Sequence, residues 1–92
     1  MTNPELLETI QNVVREILNN QSMVVTGESR FMDDLGLESI DLLDLSSELE
    51  NSIGKELDFK DLAEYSKNNG GTATSMKDIT VNNLIQYIEA NP

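Results

Sequence analysis

Asp33, Asp34, Glu38, Ser39, Asp41 and Asp44 crowd one short stretch, and they are the residues here whose types could do chemistry. Ser39 carries the one nucleophilic atom among them. A serine hydroxyl attacks only when a base takes its proton and a further group orients that base. The chain has no His and no Cys, which removes the usual base, a thiol nucleophile, disulfides and most zinc sites. Lys55, Lys60, Lys67 and Lys77 would allow a Ser–Lys pair, but none stands at a recognisable spacing, and Gly-x-Ser-x-Gly is absent. The carboxylates lack the alternation of an EF-hand loop, so no dedicated metal site is expected; loose divalent-cation binding would only relieve repulsion. Two readings of Ser39 remain. It is a plain helix N-cap, or it is placed for covalent modification. In the second case an attached phosphodiester would lie beside the free N–H groups and positive dipole end of the helix.

The 92 residues allow one domain with a small core, burying about 60–65% of the unfolded surface. Six Lys and Arg stand against 17 Asp and Glu, a net charge of −11. Such a chain repels nucleic-acid phosphates and anionic membranes, and it calls for partners with basic patches whose association weakens with salt. No apolar run approaches a membrane span and none reads as a signal peptide, so the expectation is a soluble, cytoplasmic protein; a monomer is expected as well.

Apolar periodicity predicts the elements that must position the serine. Asn3 caps a first helix whose stripe runs Leu6, Leu7, Ile10, Val13, Val14, Ile17 and Leu18. A long connection over 20–38 follows. Its Val24 or Val25, Phe31, Leu35 and Leu37 are expected to dip into the core, with a helical turn at 28–31 and a positive φ at Gly36. The second helix spans about 39–52. Leu42, Leu45, Leu49 and Ile53 form its core stripe and Gly54 its C-cap. Ile40 and Leu43 lie on another face among carboxylates, which suggests a docking surface; the alternative is that they pack on the preceding loop.

Asp58 caps a shorter third helix over 59–67, and the Gly-rich stretch 68–75 reads as an exposed, mobile loop. Met76 to Ile79 form a short turn, and Thr80 caps a fourth helix with Val81, Leu84, Ile85 and Ile88 inward and Tyr87 at the margin. The fold class is all-α: a small four-helix bundle of three longer helices and a shorter third, with a long loop between the first two.

The run Asp34-Leu35-Gly36-Leu37-Glu38-Ser39-Ile40-Asp41 closely resembles the Asp-Leu-Gly-x-Asp-Ser-Leu-Asp signature of acyl carrier proteins. Glu38 replaces the more usual Asp and Ile40 the more usual Leu. The order of helices and the closing Ile79-Thr80-Val81 run agree, so the resemblance covers essentially the whole chain. It implies a carrier, not an enzyme. A phosphopantetheinyl transferase would move 4′-phosphopantetheine from coenzyme A to Ser39, and the arm's thiol would hold an acyl group as a thioester. The lack of Cys fits, since the reactive sulfur comes with the cofactor.

The resemblance further implies that partner enzymes of acyl-activating, acyltransferase or ketosynthase type dock on Glu38, Ile40, Asp41, Leu43, Asp44, Ser47, Glu48 and Glu50. It places an acyl pocket among Phe31, Leu45, Leu49, Ile53, Phe59, Ala63, Ile79 and Leu84, which also serve as core. Ser47 stands where many members have a larger apolar residue. The interval before the last helix is longer than usual, with its excess at about 65–77. That enlargement favours a carrier dedicated to a specialised lipid or polyketide-like product over the housekeeping carrier of fatty-acid synthesis. An aminoacyl or peptidyl carrier would usually read Leu-Gly-Gly-x-Ser, against Leu37-Glu38 here. The alternative outside the family is an acidic interaction module in which Ser39 is only an N-cap.

Overall fold

The computed structural model describes residues 3–54, 56–58, 60–62, 64 and 76–90. Among the described residues the longer α-helices are α1 (Asn3–Ile17), α2 (Ser39–Ile53) and α3 (Val81–Ala90), with a 3-10 turn at Met76–Asp78. Residues 60–62 and Glu64 are helical where the short third helix is expected. The fold is all-α, and α1 packs against both α2 and α3. The expected loop at 68–75, and the enlarged segment apart from Met76 and Lys77, lie outside the described residues.

Each helix buries the stripe its spacing dictates. From α1, Leu6, Ile10, Val13 and Val14 are buried, with Leu7, Ile17 and Leu18 packed at the edge. From α2 the buried residues are Leu42, Leu45 and Leu49, with Ile53 packed against them. Val81, Leu84, Ile85 and Ile88 come from α3. Local chemistry ends and begins the elements. Asn19 takes a left-handed φ of 50°. Around it, Asn19 N–H donates to Glu16 O (3.1 Å) and Asn20 N–H to Arg15 O (2.9 Å), the paired bonds that close a helix C-terminus. Gly54 closes α2 at φ 75°, its N–H donating to Glu50 O at 2.9 Å. Asp58 Oδ1 accepts Lys60 N–H (2.8 Å), the cap expected of it. Thr80 and Asn83 cap α3 reciprocally, each side chain accepting the other's backbone N–H, at 2.9 and 3.1 Å.

The long connection is pinned from both sides. From α1, Gln11 Nε2 donates to Val25 O (2.8 Å) and Arg15 Nε to Met23 O (3.0 Å). On the other side an antiparallel bridge pairs Arg30 with Thr80. Phe31 N–H donates to Ile79 O (3.0 Å), Val81 N–H to Ser29 O (3.0 Å) and Asn82 N–H to Gly27 O (2.8 Å). Val25, Phe31, Leu35 and Leu37 are buried, whereas Val24 is 74% exposed, which settles which valine turns inward.

One local expectation is corrected. The turned stretch lies at 31–35, not 28–31. Asp34 explains the shift: its Oδ2 accepts Arg30 N–H at 2.8 Å, while Asp34 and Leu35 N–H groups return to Arg30 O at 3.1 and 3.0 Å. The turn is therefore closed around Arg30 and ends at Gly36, where φ is 76°.

Candidate functional site at the start of α2

Gly36 swings the chain out of the turn, buried Leu37 anchors it, and Glu38 in extended conformation leads into α2. The N-cap is Glu38 and not Ser39, which corrects the reading of Ser39 as a cap. The cause is Asp41, whose Oδ2 reaches back to Glu38 N–H at 2.9 Å and holds the residue before the serine in the capping position. Ser39 is thus the first helical residue and is exposed. Among the described residues, nothing hydrogen-bonds its hydroxyl, so that group does no structural service to the helix it starts. Its setting is the first turn of a fifteen-residue helix, where backbone N–H groups lack intrahelical acceptors.

A groove of about 830 Å³ opens beside the serine. Along α2 it is lined by Ser39, Leu42, Leu43, Ser46 and Glu50, and opposite them by Glu56, Leu57, Asp58, Lys60, Asp61 and Tyr87. Leu42 and Leu57 are buried and form its floor. Glu50 fixes one wall, because its Oε1 accepts Leu57 N–H at 2.8 Å. Burial, with Asp61 and then Asp58 adding to it, pushes the Tyr87 phenol above its ordinary pKa.

The expected docking face is largely in the open. Ile40 and Leu43 are 64% and 67% exposed, so neither packs on the preceding loop. Glu38, Asp44, Ser47 and Glu48 are exposed beside them. Asp41 and Glu50 lie on the same helix but are half-buried and hold backbone N–H groups, so each has a structural duty of its own. The residues expected to line an acyl pocket are placed differently from the groove. Phe31, Leu45, Leu49, Ile79 and Leu84 are buried in the shared core, and Ile53 packs against it. Phe59 and Ala63 lie outside the residues whose side chains are described.

The sequence reading did not single out Ser46, Leu57 or Tyr87 as groove residues. Ser39, Leu43, Ser46 and Glu50 do follow the spacing of one helix face, which was the available signal. Among the described residues no group of carboxylates is arranged to hold a metal ion, and no helix is long and apolar enough to cross a membrane.

Ser39 and its surroundings fit a covalently held phosphopantetheine: the hydroxyl is exposed and unengaged, helix-start N–H groups are near, and a groove leads away. Residues 8–68 match the family described as the phosphopantetheine attachment site. The chain is 31% identical over 85 residues to an acyl carrier protein of Thermotoga maritima, covering 92% of this chain and 89% of that one. It is 36% identical over 86 residues to an acyl carrier protein of Helicobacter pylori strain 26695, covering 94% of each. Carriers of this kind are not enzymes; they hold a covalent 4′-phosphopantetheine and are served by a phosphopantetheinyl transferase and by the enzymes they supply. An exposed serine at a helix start, an acidic helix behind it and this similarity along the chain lead to one conclusion: the chain belongs to the acyl carrier proteins.

Proposed function

We propose that Ser39 is the attachment residue and that the chain presents acyl intermediates to biosynthetic enzymes on the arm it holds. The observation that carries this reading is the exposed Ser39 hydroxyl, unused by the cap and opening onto the groove. When attached, the group supplies a thiol for thioester formation. The residues of this chain do the rest. Asp41 holds Glu38 as the cap, so that the serine sits in the first helical turn. The N–H groups of that turn and the positive end of the helix would offset the repulsion of a phosphate on Ser39 by neighbouring carboxylates. No base is needed in the chain, because deprotonating Ser39 is the transferase's task.

The acidic outer face of α2 is the docking surface, with exposed Ile40 and Leu43 as its apolar centre and Glu38, Asp44 and Glu48 around them. It fits a transferase and acyl-activating, acyltransferase or ketosynthase-type enzymes that carry basic patches. The pathway is fatty-acid, specialised-lipid or polyketide-type synthesis. The length of the 65–77 interval favours a dedicated carrier within that range.

Incubation with coenzyme A and a broad-specificity phosphopantetheinyl transferase tests the assignment. Wild-type protein gains the mass of one phosphopantetheinyl group and Ser39→Ala gains none. Unmodified wild type with several transferases, or a modified Ser39→Ala, would defeat it. Docking is tested best with Asp44→Lys and Glu48→Lys, because these exposed carboxylates hold no backbone group among the described contacts. Each change raises the transferase KM and flattens its dependence on salt while helicity is retained.

A further inference from the structure

A second cleft lies along the seam between α1 and α2 and, among the described residues, shares no lining side chain with the groove beside Ser39. Its volume is about 190 Å³, several times the ~30 Å³ that one water takes up in the liquid. Val13, Glu16 and Ile17 of α1 line one side, and Asp44, Ser47 and Glu48 of α2 line the other. Both triplets have the i, i+3, i+4 spacing of a single helix face. Val13 is buried and Ile17 half-buried against the shared core, so the cleft has an apolar back. Glu16, Asp44, Ser47 and Glu48 are exposed at its rim, and Ser47 contributes only a hydroxymethyl group.

We propose, resting on the docking reading of α2, that the partner-binding surface continues across this cleft onto α1 and that a long basic side chain of the partner enzyme fills it. Charge and shape name the occupant together. Asp44 and Glu48 stand four residues apart, a like-charge spacing that opposes itself on a helix, and Glu16 brings a third carboxylate from the facing helix. Both arginines of the chain are committed elsewhere: Arg15 Nε donates to Met23 O at 3.0 Å, and Arg30 pairs with Asp33 and Asp34. Lys60 lines the other groove. Arginine and lysine lay an aliphatic stem on apolar surface while the charged head stays at the rim. Here the stem would cover Val13 and Ile17, and the head would stand among the three carboxylates. An apolar side chain matches only the back of the cleft, and an acidic one is repelled by its rim. Asp44, Ser47 and Glu48 already belong to the proposed docking face, so a partner seated there reaches the cleft without a second interface.

Titration of methyl-labelled protein with butylguanidinium reads the cleft directly, because Val13 and Ile17 carry methyl groups on its wall. Their NMR signals are expected to shift along saturable curves. Butylurea has the same shape without the charge, and guanidinium has the charge without the stem, so each binds more weakly. Glu16→Gln with Glu48→Gln weakens butylguanidinium by about two- to fivefold for each carboxylate removed, the range that partly exposed charge pairs allow. Ser47→Met puts a longer side chain into the cleft and abolishes the shifts while helicity is retained. Methyl groups that do not respond, equal binding of butylurea, or full binding by Ser47→Met overturns the proposal.

Lys55 and Lys67 lie outside the described residues, and an ammonium of this chain is the competing occupant. Lys55→Gln and Lys67→Gln decide between them. Binding within about threefold of wild type supports a cleft open to a partner; tightening beyond that in either variant means that the chain fills its own cleft, and it overturns the proposal. The transferase assay tests the partner half. Glu16→Gln and Ser47→Met each raise the transferase KM with kcat unchanged. If they leave it unaffected while Asp44→Lys and Glu48→Lys weaken docking, the face on α2 stands and its extension onto α1 is wrong. If the two lysine substitutions leave it unaffected as well, the docking reading itself has failed.

Discussion

At the scale of single residues, the consequential division of labour is between Ser39 and Asp41. A serine used as an N-cap has its oxygen tied to a backbone N–H and is partly withdrawn from chemistry. Here Glu38 is the cap and Asp41 supports it from three residues downstream, and among the described residues nothing engages the serine hydroxyl. Asp41→Ala should therefore cost about 1 kcal/mol, the usual worth of a cap, measured as a lower midpoint in urea with an unchanged slope. The same change slows modification of Ser39 even though Asp41 never touches the transferred group, because the start of the helix frays. If stability is unchanged in Asp41→Ala, the cap does not hold the serine in place.

Tyr87 gives a second residue-scale expectation. Burial first, then Asp61 and Asp58, raise its phenol, so it stays neutral as pH climbs past the ordinary value of about 10. The native state binds this proton more tightly than the unfolded chain does, so stability falls with rising pH between the unfolded and the native value. Ultraviolet titration in a Tyr65→Phe background isolates the group. Asp61→Asn moves its midpoint down, and no movement would mean that burial alone is responsible.

At the scale of elements, the long first connection is the informative piece. It holds its shape through one buried ring, one ion-paired turn and a set of backbone bonds to the start of α3. Phe31 is fully buried, and Phe31→Ala removes about 3–5 kcal/mol, a large share of the total stability of a small domain. Thermal melting should show the variant largely unfolded at 37 °C, and a cooperative melt near wild type would contradict its placement. Arg30 and Asp34 close the turn, with Nε 3.2 Å from Oδ2 and a further contact to Asp33 at 3.8 Å. The backbone N–H of Arg30, followed by its side chain, holds the Asp34 carboxyl below its ordinary pKa.

A depressed carboxyl contributes stability at neutral pH, and the contribution is lost as pH falls through the native value. The turn should therefore persist to pH values below the ordinary Asp value of about 3.9 and loosen only beneath them. Carbon-detected NMR titration of the Asp34 carboxyl reads this directly. An Asp34 midpoint at the ordinary value would show that the Arg30 contact is not formed in solution.

The elements were the most legible part of the sequence, and the reasons are specific. Leu42, Leu45 and Leu49, or Val81, Leu84, Ile85 and Ile88, leave only one face that can be buried; Asp58 and Thr80 have the side chains their caps require, and Gly54 the freedom to take a positive φ. Glu38 was not legible as the cap, since glutamate is a poor one unless a neighbour reaches back, and that neighbour has to be seen. The pairing of Gly27, Ser29 and Phe31 with residues 79–82 was equally hidden, because backbone bonds between distant segments leave no mark on side-chain type. The groove differs from the expected acyl pocket for a related reason. Apolar residues at helical spacing identify a core, but they do not say where that core stops and a cleft begins.

For the whole molecule, charge sets the behaviour. A net charge of −11 on so few residues puts the folded state under self-repulsion, which the pairing of Arg30 with Asp33 and Asp34 relieves only locally. Salt shortens the reach of that repulsion, so the melting temperature should rise with added sodium chloride over the range in which partner association weakens. The opposite trends distinguish the internal effect of charge from its role in docking. A melting temperature indifferent to salt would show that the carboxylates are spread too widely to strain the fold.

The stitching of residues 27–31 to residues 79–82 also bears on the order in which the molecule assembles. Arg30 and Thr80 are far apart in the sequence, and a loop between them must close before their bridge can form. Helices α1 and α2 can reach their own hydrogen bonds early, and α1 can hold Met23 and Val25, but residues 27–31 have no backbone partner across the bridge until α3 docks. Folding should accordingly be slower than helix content alone would suggest, with the approach of α3 as the step that brings the site into register. On the proposed attachment at Ser39, modification should become fast only after α3 has docked, which refolding followed by transferase labelling would read.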